Sequence, residues 1–121
     1  MSSTPVTWFE IGSDRPDEVQ RFYSELFGWS FDEQGGPGLS YRQTTAGGEP
    51  GIGGAIRGTD DGNYATFYAQ VADVAETCRR AEEAGGAVLT APMTTPADLV
   101  RATLRDPSGN LFGVFTPPAE G

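Results

Sequence analysis

At 121 residues with a formal net charge of −9, the chain has the size of one domain with its own core, and its surface would repel the phosphates of nucleic acids and anionic membranes. An apolar share of 37%, with 17 glycines and 9 prolines, suits a sheet-rich α+β domain of short elements better than a helix bundle. The chain has no histidine, which excludes Ser-His-Asp and Cys-His nucleophile systems, HExxH zinc sites and two-His-one-carboxylate iron sites within one chain.

In chain order, residues 1–5 read as a tail and Val6–Ile11 as a strand, with Phe9 and Ile11 on one face and Trp8 and Glu10 on the other. Gly12-Ser13-Asp14 turns the chain. Asp14 is placed to cap a helix with Pro16 in its first turn. Val19, Phe22, Tyr23, Leu26 and Phe27 then form one apolar helical stripe, closed by Gly28. Phe9 and Ile11 are the natural partners of that stripe. Strands are predicted at Trp29–Glu33, Leu39–Thr44 (Leu39, Tyr41 and Gln43 sharing a face) and Gly51–Ile56, where the glycines point to a bulge or a close approach. The segment Arg57–Asn63 is a polar joint.

The second half opens with a strand at Tyr64–Val71, with Phe67, Ala69 and Val71 opposite Tyr68 and Gln70. Asp73 caps a helix over Val74–Ala84 whose inner face is Val74, Cys78 and Ala81, and Gly85-Gly86 stops it. Strands follow at Ala87–Ala91 and Leu99–Arg105. The turn Asp106-Pro107-Ser108-Gly109-Asn110 leads into a last strand, Leu111–Thr116, and Pro117–Gly121 is a tail.

An offset of 60 residues lays Trp8 over Tyr68, Phe9 over Ala69, Glu10 over Gln70 and Ile11 over Val71. Each half therefore reads β-α-β-β-β, one module at about 6–56 and the other at about 64–116. A single such unit has a helix on only one face of its sheet, so its other face needs a partner. Pairing two units encloses a cleft lined by the residues opposite the helices, formed within one chain or between chains of a dimer.

The stretches WFEIGSDRPDEVQRFYSELFGW, NYATFYAQVADVAETCRRAEEAGGAV and RATLRDPSGNLFGVF, which run from near Val6 to Phe115, resemble the vicinal oxygen chelate superfamily. That superfamily includes glyoxalase I, bleomycin-resistance proteins and extradiol dioxygenases. The resemblance implies two βαβββ modules with mixed, curved sheets around a cleft. Metal-dependent members hold one divalent ion through about four side chains, usually His and Glu. Carried over to this chain, the resemblance leaves Glu10 and its counterpart Gln70. The place of the usual glutamate, three residues after the Asn of DP-x-GN, holds Gly113. One carboxylate and one amide make a weak transition-metal site, so the expected cofactor is none, with loosely held Mg²⁺ or Mn²⁺ as the alternative. Glyoxalase and dioxygenase activities, which require a metal, are thereby disfavoured.

The expected cleft lining is Trp8, Glu10, Tyr41, Gln43, Tyr68, Gln70, Arg101, Thr103, Phe112 and Val114. Aromatic walls with a few convergent polar groups describe a small-molecule site. Trp8 and Phe112 read equally as core. Glu10 is either a general base with a raised pKa or a structural ion pair with Arg101, and Arg101 has the further reading of an anchor for a ligand carboxylate. The lone Cys78 reads as buried core and excludes an intrachain disulfide. With an N-terminus unlike a signal peptide and no apolar run of roughly 20 residues, the expected location is cytoplasmic.

The leading expectation is a metal-free protein that binds a small aromatic or hydrophobic molecule and pairs as a homodimer. The alternative is a lyase- or isomerase-type enzyme that uses Glu10 as its catalytic acid or base.

Overall fold

A computed structural model describes residues 3–34 and 40–118. Leu39, read as the first residue of a strand, lies outside the described residues, as do residues 35–38 before it. Among those described, the element order is strand β1 (Val6–Ser13), helix α1 (Pro16–Phe27) and strands β2 (Asp32–Gln34), β3 (Tyr41–Thr44) and β4 (Gly53–Gly58), then strand β5 (Tyr64–Gln70), helix α2 (Val74–Glu83) and strands β6 (Ala87–Thr94), β7 (Val100–Arg105) and β8 (Leu111–Thr116). This is the α+β plan of two βαβββ modules expected from the repeat. No helix among the described residues is long and apolar enough to cross a membrane.

The chain divides into two compact units. The first is Trp8–Thr66; the second is Phe67–Gly121 together with Met1–Thr7. The division falls inside β1 and β5, so Tyr64 at the start of β5 belongs to the first unit.

In the first unit the strand order is β2-β3-β4-β1, with β1 and β4 parallel and the other neighbours antiparallel. Helix α1 begins at Pro16, but Asp14 is not its cap. The cap position is Arg15, with no side-chain bond, and the turn is held instead by Ser13 Oγ accepting from the Arg15 amide at 2.9 Å. The Asp14 amide donates to Asn63 Oδ1, also at 2.9 Å. Gly28 ends the helix at φ 72°, where a side chain would strain the backbone.

The expected apolar stripe of α1 is only partly used. None of its residues is buried, and Phe22, Leu26 and Phe27 are 56–58% exposed. At about 100° per residue the five apolar positions spread over about 140° of the helix, wider than one sheet face can cover. Trp29, expected to open a strand, serves instead as the hub of an aromatic cluster. Its ring centroid lies 5.7 Å from Phe9, 5.5 Å from Tyr23 and 5.1 Å from Phe27. Arg42 on β3 clasps the helix through Asp17 at 2.7 Å and Gln20 at 3.2 Å.

In the second unit the order is β5-β8-β7-β6, with β5 and β8 parallel. Asp73 caps α2 as expected, its carboxylate accepting from the Glu76 amide at 3.0 Å. Val74 and Cys78 from the helix meet Ala102, Leu104 and Val114 in an apolar core. Strand β6 runs three residues beyond its expected end, with irregular pairing to β7. The Asp106 turn is tied by its own carboxylate, which accepts from the amides of Ser108 and Asn110 and from the Asn110 side chain. Those bonds, led by Asn110, hold the carboxyl below its ordinary pKa.

Candidate functional site

On β1, Phe9 packs toward α1 and Trp29, so alternation turns Trp8, Glu10 and Gly12 to the opposite face. Pairing sets Trp8 beside Gly53, Glu10 beside Ala55 and Gly12 beside Arg57 on β4, and then Ala55 beside Gln43 and Arg57 beside Tyr41 on β3. Trp8, Glu10, Tyr41, Gln43 and Arg57 thus share one face, with Gly53 and Ala55 as its low floor. The Trp8 indole N–H donates to the Tyr41 hydroxyl at 3.1 Å, which fixes the two rings into one wall.

Glu10 is 2% exposed, and its carboxylate accepts a 2.6 Å hydrogen bond from the Tyr64 hydroxyl. Arg57 Nη1 donates to the same phenol oxygen at 3.3 Å. The three groups form a chain of guanidinium, phenol and carboxylate. Burial pushes the Tyr64 pKa up to about 12, helped by the bond to Glu10 and its charge and opposed by Arg57. At neutral pH Tyr64 therefore keeps its proton and donates it in the hydrogen bond to the Glu10 side chain. Its ring lies flat on Gly12, where a Cβ would come within 2.0 Å of it. Only glycine at position 12 lets the phenol reach the carboxylate.

The partner of Glu10 is thus Tyr64 from its own unit, and not the expected Arg101, which is engaged in the second unit with Tyr68. Its guanidinium carbon stands 5.9 Å from the centre of the Tyr68 ring. Tyr68 is 4% exposed, edge-on to Phe115, and lies on Gly113, where a Cβ would come within 2.3 Å of the ring. Thr103 shares the strand face of Arg101, since both alternate with the buried Ala102 and Leu104. Gln70, exposed at the end of β5, accepts from the Thr7 hydroxyl at 3.3 Å, and its amide donates to the Pro5 carbonyl at 3.0 Å.

Two expected lining residues are corrected. Val114 is 2% exposed within the core beneath α2, and Phe112 packs against that core and stacks on Phe67 at 6.0 Å. The register is the reason. Ala102 pairs with Val114 and Leu104 with Phe112, and paired residues share a sheet face. The face of β8 that carries Tyr68 belongs to Gly113 and Phe115.

Arg57 and Tyr64 are the candidate site residues that the sequence reading missed. Alternation held the signal for both. Tyr64 has the parity of Tyr68 and Gln70, and Arg57 follows Gly53 and Ala55 at steps of two.

The family model of the glyoxalase/bleomycin resistance protein/dioxygenase superfamily matches residues 6–114. The chain is 32% identical over 115 residues to candidate glyoxylases named CFP32 from Mycobacterium bovis and Mycobacterium tuberculosis. That match covers 93% of this chain and 44% of each relative, so the chain spans less than half the length of these curated relatives. Its fold is similar to that of methylmalonyl-CoA epimerase from Mycobacterium tuberculosis, with a TM-score of 0.70, 15% identity and coverage of 98% of this chain and 93% of that one. It is likewise similar to a Streptomyces coelicolor methylmalonyl-CoA epimerase variant in complex with 2-nitronate-propionyl-CoA, with a TM-score of 0.68, 18% identity and coverage of 98% and 100%.

Proposed function

The chain belongs to the glyoxalase/bleomycin resistance protein/dioxygenase superfamily, and from that premise we propose that it binds a small aromatic or hydrophobic molecule without a resident metal. The observation that carries this reading is the face of the first unit, where the Trp8–Tyr41 wall stands over a floor of Gly53 and Ala55. A flat apolar body would gain stacking on the wall, and the small floor residues leave it room.

The donor set does not fit a divalent ion. Glu10 is committed to Tyr64, the place of the family's usual glutamate is Gly113 beneath the Tyr68 ring, and Gln70 accepts from Thr7. No group of three His, Cys, Asp or Glu side chains able to hold a metal occurs among the described residues. The reading also places the protein in the cytoplasm, a reducing compartment that suits its free Cys78, and as a homodimer, which sedimentation velocity would test.

The test uses 2-naphthol as the probe, followed by tryptophan fluorescence and by melting temperature. Saturable quenching with a rise in Tm, both lost in Trp8→Ala but retained in Trp29→Phe, is the expected result. Quenching that survives Trp8→Ala would remove the wall as the binding site.

A second reading, an isomerase-type enzyme using Glu10, draws support from the buried Glu10–Tyr64–Arg57 chain and from fold similarity to epimerases. In this reading Glu10 is the catalytic acid or base, with the Tyr64 hydroxyl donating to it. Incubation with methylmalonyl-CoA in D₂O should then place deuterium on the carbon between the carbonyls, and Glu10→Gln should abolish it. No incorporation by the unsubstituted protein would exclude this activity for that substrate.

A further inference from the structure

We propose that the helix side of the first unit holds a second site, separate from the Trp8–Tyr41 face, that takes a free α-amino acid as its zwitterion. Arg21 grips the carboxylate and Glu33 the ammonium group.

The site is a cleft of about 530 Å³ between α1 and the β2–β3 edge of the sheet, within the size range of small-molecule sites. One wall comes from Asp17, Gln20, Arg21 and Ser24, which stand at i, i+3, i+4 and i+7 and so form a single stripe of α1. Register builds the other wall. Glu33 pairs with Arg42, and paired residues share a sheet face. Arg42 reaches α1 through Asp17 at 2.7 Å and Gln20 at 3.2 Å, so that face is the helix side. Tyr41 and Gln43 alternate to the opposite one. Phe31, two residues before Glu33, adds an aromatic ring to the cleft.

A helix ordinarily turns its apolar stripe to the sheet. In α1 the polar Gln20 and Ser24 are half-buried, while Phe22 and Leu26 are more than half exposed. Packing alone favours the reverse rotation. The observed one lines a cleft with polar groups.

Two guanidinium groups and two carboxylates meet there. The Arg42–Asp17 bridge uses one of each and leaves the Arg42 side chain only 14% exposed. It takes Asp17 from Arg21, four residues on along the helix, and Arg42 from Glu33, its neighbour across the strands. Among the described residues neither Arg21 nor Glu33 enters an ion pair. The cleft therefore presents one open cation and one open anion. A bare anion would meet Glu33, and a bare cation would meet Arg21. A zwitterion satisfies both. The guanidinium matches a carboxylate in bidentate fashion, the ammonium group donates to Glu33, and the Phe31 ring suits an apolar or aromatic side chain.

Calorimetry with three probes that share a phenyl ring provides the test: L-phenylalanine, 2-phenylethylamine (no carboxylate) and 3-phenylpropanoate (no ammonium). L-phenylalanine should bind at least about tenfold tighter than either, as one charge-assisted hydrogen bond would give. Arg21→Gln should lower its affinity to that of 2-phenylethylamine without weakening binding of the amine itself. Glu33→Gln should lower it to that of 3-phenylpropanoate without weakening binding of that acid. Both side chains are exposed, and circular dichroism checks that the variants fold. An L-phenylalanine affinity that is undetectable, that is no better than the single-charge probes, or that survives either substitution would overturn the proposal.

Discussion

The two units share one β-α-β-β-β plan but place their polar and apolar groups in opposite ways. Under α2, Val74 and Cys78 close on Ala102, Leu104 and Val114 in an ordinary apolar core. Under α1 no helix residue is buried, and a fully buried side chain of that unit is the carboxylate of Glu10. The position that matches Glu10 in the repeat is Gln70, which is exposed. Removing a carboxylate from water costs several kcal/mol unless hydrogen bonds offset it, and an apolar residue of similar size would avoid the cost. Retaining Glu10 with a dedicated phenol is poorly explained by stability. The second unit carries the apolar cluster under its helix, and the first unit carries the buried carboxylate.

The largest expected effect tests that division directly. Leu104→Ala, at a fully buried position, should destabilise by about 3 kcal/mol, from lost burial and the cavity left behind. Phe22→Ala, at a residue 56% exposed, should change stability by no more than about 0.5 kcal/mol, although a helical wheel puts it on the apolar stripe. Urea unfolding of the two variants measures the difference. Equal losses would mean that α1 is packed as tightly as α2 in solution.

Next come the two glycines on which the tyrosines lie. Gly12→Ala sets a methyl against the Tyr64 ring and Gly113→Ala sets one against the Tyr68 ring, each at well under 3 Å. Overpacking of this kind costs about 2 kcal/mol. Shrinking Tyr64 to Ala should relieve Gly12→Ala but not Gly113→Ala, and shrinking Tyr68 to Ala should do the reverse. Simple additivity in the matched pairs would show that the rings do not press on these positions.

These contacts mark how far the sequence could be read. Period-two and period-3.6 patterns gave eight strands, two helices, the Asp73 cap and the Asp106 turn, because each is set by residues close together in the chain. The same alternation placed Trp8, Glu10, Tyr41 and Arg101 opposite the helices. It failed on β8, where LFGVF is apolar throughout and only the register with Ala102 and Leu104 shows that Phe112 and Val114 face α2. It also failed on α1, where the pattern specifies an apolar arc but not how much of it a narrow sheet covers. Arg57 was missed for a different reason: it opens the polar joint between the repeats, which reads as a linker, whereas Tyr64 is the first residue of its strand and lies ahead of the alternating positions read for that strand.

A smaller effect separates Glu10 from its counterpart. Glu10→Ala leaves the half-buried Tyr64 hydroxyl without its acceptor and should cost about 1.5 kcal/mol. Gln70→Ala, on an exposed side chain, should stay within about 0.5 kcal/mol. Should the two losses match, Glu10 and Gln70 would be equivalent and the first unit would hold no special polar site.

The smallest expected effect isolates the phenol. Tyr64→Phe keeps the ring on Gly12 and removes only the hydrogen bond, so it should cost about 1 kcal/mol at neutral pH. Its pH dependence fixes the cause. The folded-state pKa of Tyr64 is raised from 10.0 to about 12, so the proton is bound more tightly in the folded protein than in the unfolded chain. The stabilisation is therefore fully present below pH 10 and is lost as the pH rises through 12. Other tyrosines ionise nearby, so the useful quantity is the difference between the unsubstituted protein and Tyr64→Phe, in which their contributions cancel. That gap should be constant up to pH 10 and shrink between 10 and 12. A gap unchanged across that interval would mean that Tyr64 does not hold its proton against Glu10, and the buried carboxylate would need another partner.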